Sequence, residues 1–148
     1  MTYDKVIFLD VDGVLNNSIS RYELGYEAFD PIALFHLARI IQETGAKIVI
    51  SSTWRSIPHN YRLLLAALTK KKIVDNVVGL TPELSLSDER WREIVGWLNQ
   101  HDVKRFAVID DLKGAAVPNA PYSFFLTEDE SGLTEEIADS VILHLNRN

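Results

Sequence analysis

The chain has 148 residues, 47% hydrophobic and 24% charged, which suits one globular domain spanning residues 1–148 with a core of its own. No apolar run approaches the roughly 20 residues that cross a bilayer, and MTYDKVIFLD lacks the features of a secretion signal, so a cytoplasmic protein with no membrane partner is expected. The absence of cysteine excludes disulfides and thiolate zinc sites, and a net charge of −6 argues against broad nucleic-acid binding while leaving room for a local basic patch.

In chain order, Val6–Leu9 reads as the first strand. It is followed by an interval, Asn16 to Phe29, long enough for a hairpin-like flap. A helix should start at Pro31 behind an Asp30 cap and stop at Gly45, burying Leu34, Leu37, Ala38 and Ile41. Ile48–Ile50 is the second strand. Pro58 to about Thr69 is a second helix with Tyr61, Leu64, Leu65 and Leu68 inward, and Val77–Val78 is a third strand. A helix from about Asp88 to Gln100, strands at Phe106–Ile109 and Phe124–Leu126, and a helix from about Thr134 to Leu145 complete the series. Several strands are apolar throughout, as strands buried on both faces of a parallel sheet are. The alternation predicts a single doubly wound, Rossmann-like α/β domain, a mostly parallel central sheet flanked by helices.

Sites in such folds form beyond the carboxyl ends of the strands. Here the first strand delivers Asp10 and Asp12, the second Ser51-Ser52-Thr53, and the FAVI strand Asp110-Asp111. Carboxylates gathered at one edge raise one another's pKa unless a cation neutralises them. An oxygen-only donor set with few protein ligands suits Mg²⁺, which points to phosphate chemistry. A calcium loop fits less well, because Gly13 stands too early and Asn16 and Asn17 do not restore the spacing. Ser51 has an alternative as a turn cap, and Asp110-Asp111 as a plain turn. Trp54 and Arg55 follow on the same loop: Trp54 either packs or lines the site, and Arg55 either clamps a substrate phosphate or pairs with a surface acid. The four histidines show no ligand spacing and are expected to be structural or solvated.

Asp10-Val-Asp12-Gly13-Val14 resembles the first motif of the haloacid dehalogenase (HAD) superfamily of phosphotransferases. Ser51 after KIVI resembles its second motif, and Asp110-Asp111 after FAVI its fourth. The third, a Lys or Arg near a helix start, is best matched by Arg90 in DERWREIVGWL, with Arg92 competing. ISSTWR, VVGLTPEL, RWREIVGWL and SGLTEEIA are similar to the small HAD domains of Swiss Army knife RNA-repair proteins. The resemblance implies a phosphatase acting through a phospho-aspartate on Asp10, with Asp12 as general acid and then general base. Gly13, Ser51 or Ser52, and Arg90 would surround the phosphate. Mg²⁺ would sit on Asp10, the Asp12 carbonyl and Asp110, with Asp111 assisting either directly or from behind these ligands, and Trp54 and Arg55 are possible substrate contacts. The rival readings are transfer to an acceptor other than water, or a non-catalytic domain that binds phosphorylated ligands. Neither interval in which such proteins carry a cap is long enough here for one, so a short flap, an open site and a large substrate are expected. An oligonucleotide end or a nucleotide is the preferred class.

Overall fold

The computed structural model describes residues 2–84 and 89–147. Five strands form one sheet, all parallel: β1 (Thr2–Leu9), β2 (Lys47–Ile50), β3 (Val77–Leu80), β4 (Asp102–Asp110) and β5 (Phe124–Leu126), in the order β3-β2-β1-β4-β5. The chain winds outward from β1 through β2 to β3, then returns to the other side of β1 for β4 and β5. The switch point therefore lies between β1 and β4, where open sheets of this kind place their ligands. The edge strands β3 and β5 are short, which limits pairing with other chains.

Alternation along the strands sorts the core into two layers. Ile7, Leu9, Ile48, Ile50, Ala107 and Ile109 face one side, packed by α2 (Pro31–Thr44), α3 (Pro58–Lys70) and α5 (Glu135–Leu145). Val6, Phe8, Val49 and Val108 face the other, where α4 (Arg90–Leu98) brings Ile94 and Trp97. Helix α2 begins and ends as its sequence predicts. The Asp30 side chain accepts from Ile32 N–H at 3.0 Å, and Gly45 takes a left-handed φ of 71°. Its inward leucines and isoleucine each contribute roughly 1.5–3 kcal/mol by burial. On α3, Leu64 and Leu68 are buried as expected, whereas Leu65 is only half-buried. The predicted start of α4 at Asp88 lies outside the described residues. In α5, Thr134 is the N-cap, its hydroxyl accepting from Ile137 N–H at 3.3 Å.

One expectation is corrected. The interval after the first motif contains a helix, α1 (Ser18–Leu24), where a hairpin-like flap was expected. Its start is a reciprocal capping box: Asn17 Oδ1 accepts from Ser20 N–H at 2.8 Å, and Ser20 Oγ accepts from Asn17 N–H at 2.9 Å. Among the described residues no cap domain intervenes between the motifs. No helix among them is long and apolar enough to cross a membrane.

Candidate active site

The register sets the site. Leu9 lies opposite both Ile50 and Ile109, so the next residues, Asp10, Ser51 and Asp110, leave the sheet at one level. The ladder continues past the strand ends through Asp10 N–H to Ile109 O at 3.1 Å and Ser51 N–H to Leu9 O at 2.8 Å. One carboxylate oxygen from each of Asp10, Asp110 and Asp111 lies within 4.8 Å of the others. Arg90, the first residue of α4, reaches into this group. Its Nη1 donates to Asp10 Oδ1 at 3.0 Å, Asp110 Oδ2 at 3.1 Å and Ser51 O at 3.1 Å.

Three carboxylates against one guanidinium leave a formal excess of two negative charges, the amount a divalent cation neutralises. Burial pushes the Asp10 carboxyl well above its ordinary range, and the neighbouring Asp110 adds to the shift; Arg90 opposes it. Burial also raises Asp110, against the pull of Arg90 and a hydrogen bond from Leu112 N–H at 2.9 Å. For Arg90 burial favours the neutral form, but Asp10 and Asp110 outweigh it and its pKa rises further. An all-oxygen, net-negative set of this kind fits Mg²⁺. The Asp12 side chain stands outside that trio, and its backbone carbonyl accepts no hydrogen bond from the described residues.

The two serines separate cleanly. Ser52 Oγ accepts from Trp54 N–H at 3.2 Å and caps the 3-10 turn Thr53–Ser56. Ser51 is 1% exposed and its hydroxyl has no partner among the described residues. A buried unsatisfied hydroxyl costs about 1–3 kcal/mol, and this one stands at the strand end beside Asp10 and Arg90. Ser51, not the capping Ser52, is therefore the serine with an uncommitted hydroxyl at this edge. Arg92 pairs with Glu89 and lies over the Trp91 ring at 4.5 Å, which leaves Arg90 as the arginine of the site.

Gly13 has a φ of 78°, and a Cβ there would stand 2.2 Å from Asp111 Oδ2, so the glycine makes room for that carboxylate. Its carbonyl accepts from Thr127 Oγ at 2.6 Å. The segment after β5 closes further on the first motif. Leu133 N–H donates to Val14 O at 2.8 Å and Ser18 N–H to Asp129 O at 2.8 Å, while a Cβ on Gly132 would lie 2.8 Å from Val14 O.

Asp12 is exposed, with Oδ1 accepting from Trp54 Nε1 at 3.1 Å and Asn16 Nδ2 at 2.9 Å. Trp54 is 4% exposed and packs on Phe29 at 5.3 Å between ring centroids, so it reaches the site through Asp12 and not as an open surface. Of the two roles open to Arg55, the structure shows pairing with an acid, the buried Glu93 and not a surface one. Its guanidinium is buried and donates to Thr81 O at 3.1 Å, Ser52 O at 2.5 Å and Glu93 Oε1 at 3.1 Å. Glu93 also accepts from Leu84 N–H at 2.9 Å, so it ties the first turn of α4 to the segment after β3 as well as, through Arg55, to the loop after β2. Glu93→Ala leaves the Arg55 charge buried and unpaired, and should cost about 3–5 kcal/mol of stability in denaturant unfolding. A loss below about 1 kcal/mol would mean that this pair does not anchor α4.

Two of the four histidines are held by the fold, while His59 is exposed beside Glu27. His144 Nε2 lies 2.9 Å from Phe106 O, and His101 stacks on Trp97 at 3.7 Å. Asn16 and Thr127 join the site without a sequence signal for it: Asn16 reads only as a misplaced calcium ligand, and Thr127 meets Gly13 across more than 100 residues of chain. Arg21 bonds both Asn16 nearby and the distant Asp129.

With this geometry in place, residues 6–138 match the family described as the HAD domain in Swiss Army Knife RNA repair proteins, and the chain belongs to it. HAD domains are in general phosphoryl-transfer hydrolases that use Mg²⁺. No curated protein and no solved structure matches the chain.

Proposed function

We propose that the chain is a Mg²⁺-dependent phosphomonoester hydrolase that works through a phospho-aspartate on Asp10. The observation that carries this reading is the trio Asp10, Asp110 and Asp111 set beside Arg90 and the unpartnered Ser51 hydroxyl. Asp10, Asp110, Asp111 and the Asp12 carbonyl would hold the metal. Bound there, Mg²⁺ supplies the positive charge that lets an anionic carboxylate meet an anionic phosphate. A carboxylate oxygen of Asp10 attacks phosphorus, and the Asp10–phosphate bond forms as the bond to the leaving oxygen breaks. Arg90 and Ser51 donate to the phosphate oxygens as charge builds on them. Asp12 gives its proton to the leaving oxygen. It then takes one from the water that hydrolyses the phospho-aspartate.

The substrate we favour is a phosphate at a nucleic-acid end or on a nucleotide. Among the described residues nothing caps the site, and beside it a cleft is lined by Ser18, Arg21, Tyr22 and Tyr26. Tyr22 is 91% and Tyr26 78% exposed, and exposed tyrosines next to an arginine suit stacking of a base. The family's association with RNA repair leans the same way. The acidic net charge favours contact with a terminus over a long tract.

The test is phosphate release, with Mg²⁺, from a 3′-phosphorylated oligonucleotide, a 5′-phosphorylated one, a mononucleotide and a hexose phosphate. One of the first three should show the highest kcat/KM. A hexose phosphate ahead by about tenfold would defeat the substrate assignment, and release from none of the four would defeat the phosphatase reading.

A further inference from the structure

We propose that Asn16 and Arg21 are positioning residues that select which oxygen of Asp12 exchanges the proton; this rests on reading Asp12 as the general acid and base. Asn16 is fully buried, and its amide has one orientation open to it. Its Oδ1 accepts from Gly13 N–H at 2.9 Å and from Arg21 Nη1 at 2.7 Å. An NH₂ group turned toward two donors would be unsatisfied, so Nδ2 faces Asp12 Oδ1 at 2.9 Å.

Arg21 keeps the amide from flipping, because a guanidinium is always a donor. It is itself fixed. Its Nη2 lies 2.6 Å from each carboxylate oxygen of Asp129, whose backbone carbonyl in turn holds Ser18 at the start of α1. The relay therefore runs from the segment after β5, through α1, to Asp12.

The consequence falls on the proton. Oδ1 of Asp12 accepts two N–H groups, from Asn16 and Trp54, while Oδ2 has no partner among the described residues. Oδ2 is the oxygen that carries the proton. In the first step the Oδ2–H bond breaks and the leaving oxygen gains the proton as its bond to phosphorus breaks. In the second, Oδ2 takes a proton from water as the water oxygen bonds to phosphorus and Asp10 is released. An Asp12 carboxyl free to rotate would present the wrong oxygen part of the time. The loss would fall on substrates whose leaving group needs the proton.

The experiment compares an aryl phosphate, p-nitrophenyl phosphate, whose leaving group departs unprotonated, with an alkyl phosphate, glycerol phosphate, whose leaving group does not. In the full chain with Mg²⁺, Arg21→Met should lower kcat/KM for the alkyl ester by about tenfold or more and for the aryl ester by less than about threefold. In an Asp12→Asn background, Arg21→Met should add no further loss on the alkyl ester, which carries no base for the tyrosine cleft and on which Arg21 acts through that carboxyl. Asp129→Ala, at the exposed end of the relay, should give the same selective pattern more weakly and provides a second variant if Arg21→Met does not fold. Equal losses on both esters, or losses that multiply in the double variant, overturn the proposal. A wild-type chain that hydrolyses no ester of either kind overturns the phosphatase reading and this inference with it.

Discussion

Asp10→Asn is expected to abolish phosphate release while raising the melting temperature. The amide is nearly isosteric but is neither a useful nucleophile nor a good ligand for a hard cation, so activity should fall by about 10⁴-fold or more. Stability should move the other way. Asp10 is buried against Asp110, burial holds its carboxyl well above the usual range, and Arg90 offsets only part of that cost. The neutral amide removes both the desolvated charge and the repulsion, and it leaves Arg90 paired with Asp110. Each kcal/mol relieved should raise the melting temperature by about 2–4 °C. Phosphate release and thermal unfolding, measured on one preparation, check both halves. Activity within tenfold of wild type would remove Asp10 as the nucleophile, and a lower melting temperature would show its charge to be stabilising.

Chelation should silence the enzyme, and Mg²⁺ but not Ca²⁺ should restore it, because the larger and looser calcium shell misplaces the attacking carboxylate. The same cluster predicts how stability depends on pH. Asp10 and Asp110 both titrate above the ordinary value of 3.8 in the folded chain, chiefly through burial. The folded protein then retains protons that the unfolded chain has already released. Stability contributed by these groups is full below 3.8 and is lost as pH rises through the folded values. Metal-free protein should therefore carry more of the penalty at about pH 8 than at about pH 5, and Mg²⁺ should raise the melting temperature more at the higher pH. A Mg²⁺ shift that is equal at the two pH values, or absent, would count against the aspartate cluster as the metal site.

The sequence made Asp10 and Asp110-Asp111 legible for a simple reason. Apolar strands that end in carboxylates announce both the sheet and its functional edge. Choosing between Ser51 and Ser52 needed the register, because a slip of one residue would exchange the capping hydroxyl for the free one. Arg90 and Arg92 are equally basic in sequence; the start of α4 and the Glu89 partner distinguish them. Helix α1 escaped notice because its capping box is Asn17 with Ser20, weaker than a Ser or Thr followed by Glu, and because its apolar residues Ile19 and Leu24 are left exposed. Arg55 lay beside the second motif in the chain, yet its role is decided by Glu93 on another element. The relay through Asn16 and Arg21 was invisible because its far end, Asp129, is brought near only by the finished sheet.

The closure of the segment after β5 over the first motif also bears on the order of synthesis. Asp10 and its glycine turn come first among these pieces in the sequence. The hydroxyl that holds Gly13, the amide that holds Val14 and the carboxylate that holds Arg21 are made more than 100 residues later. A growing chain on the ribosome would carry its chemical residues long before the pieces that shape them. Contacts of such long sequence separation form late and slow folding. Hydrolysis should thus appear abruptly, when the residue 127–133 segment docks, so that activity regained on refolding reports completion of the whole sheet and not of its first half.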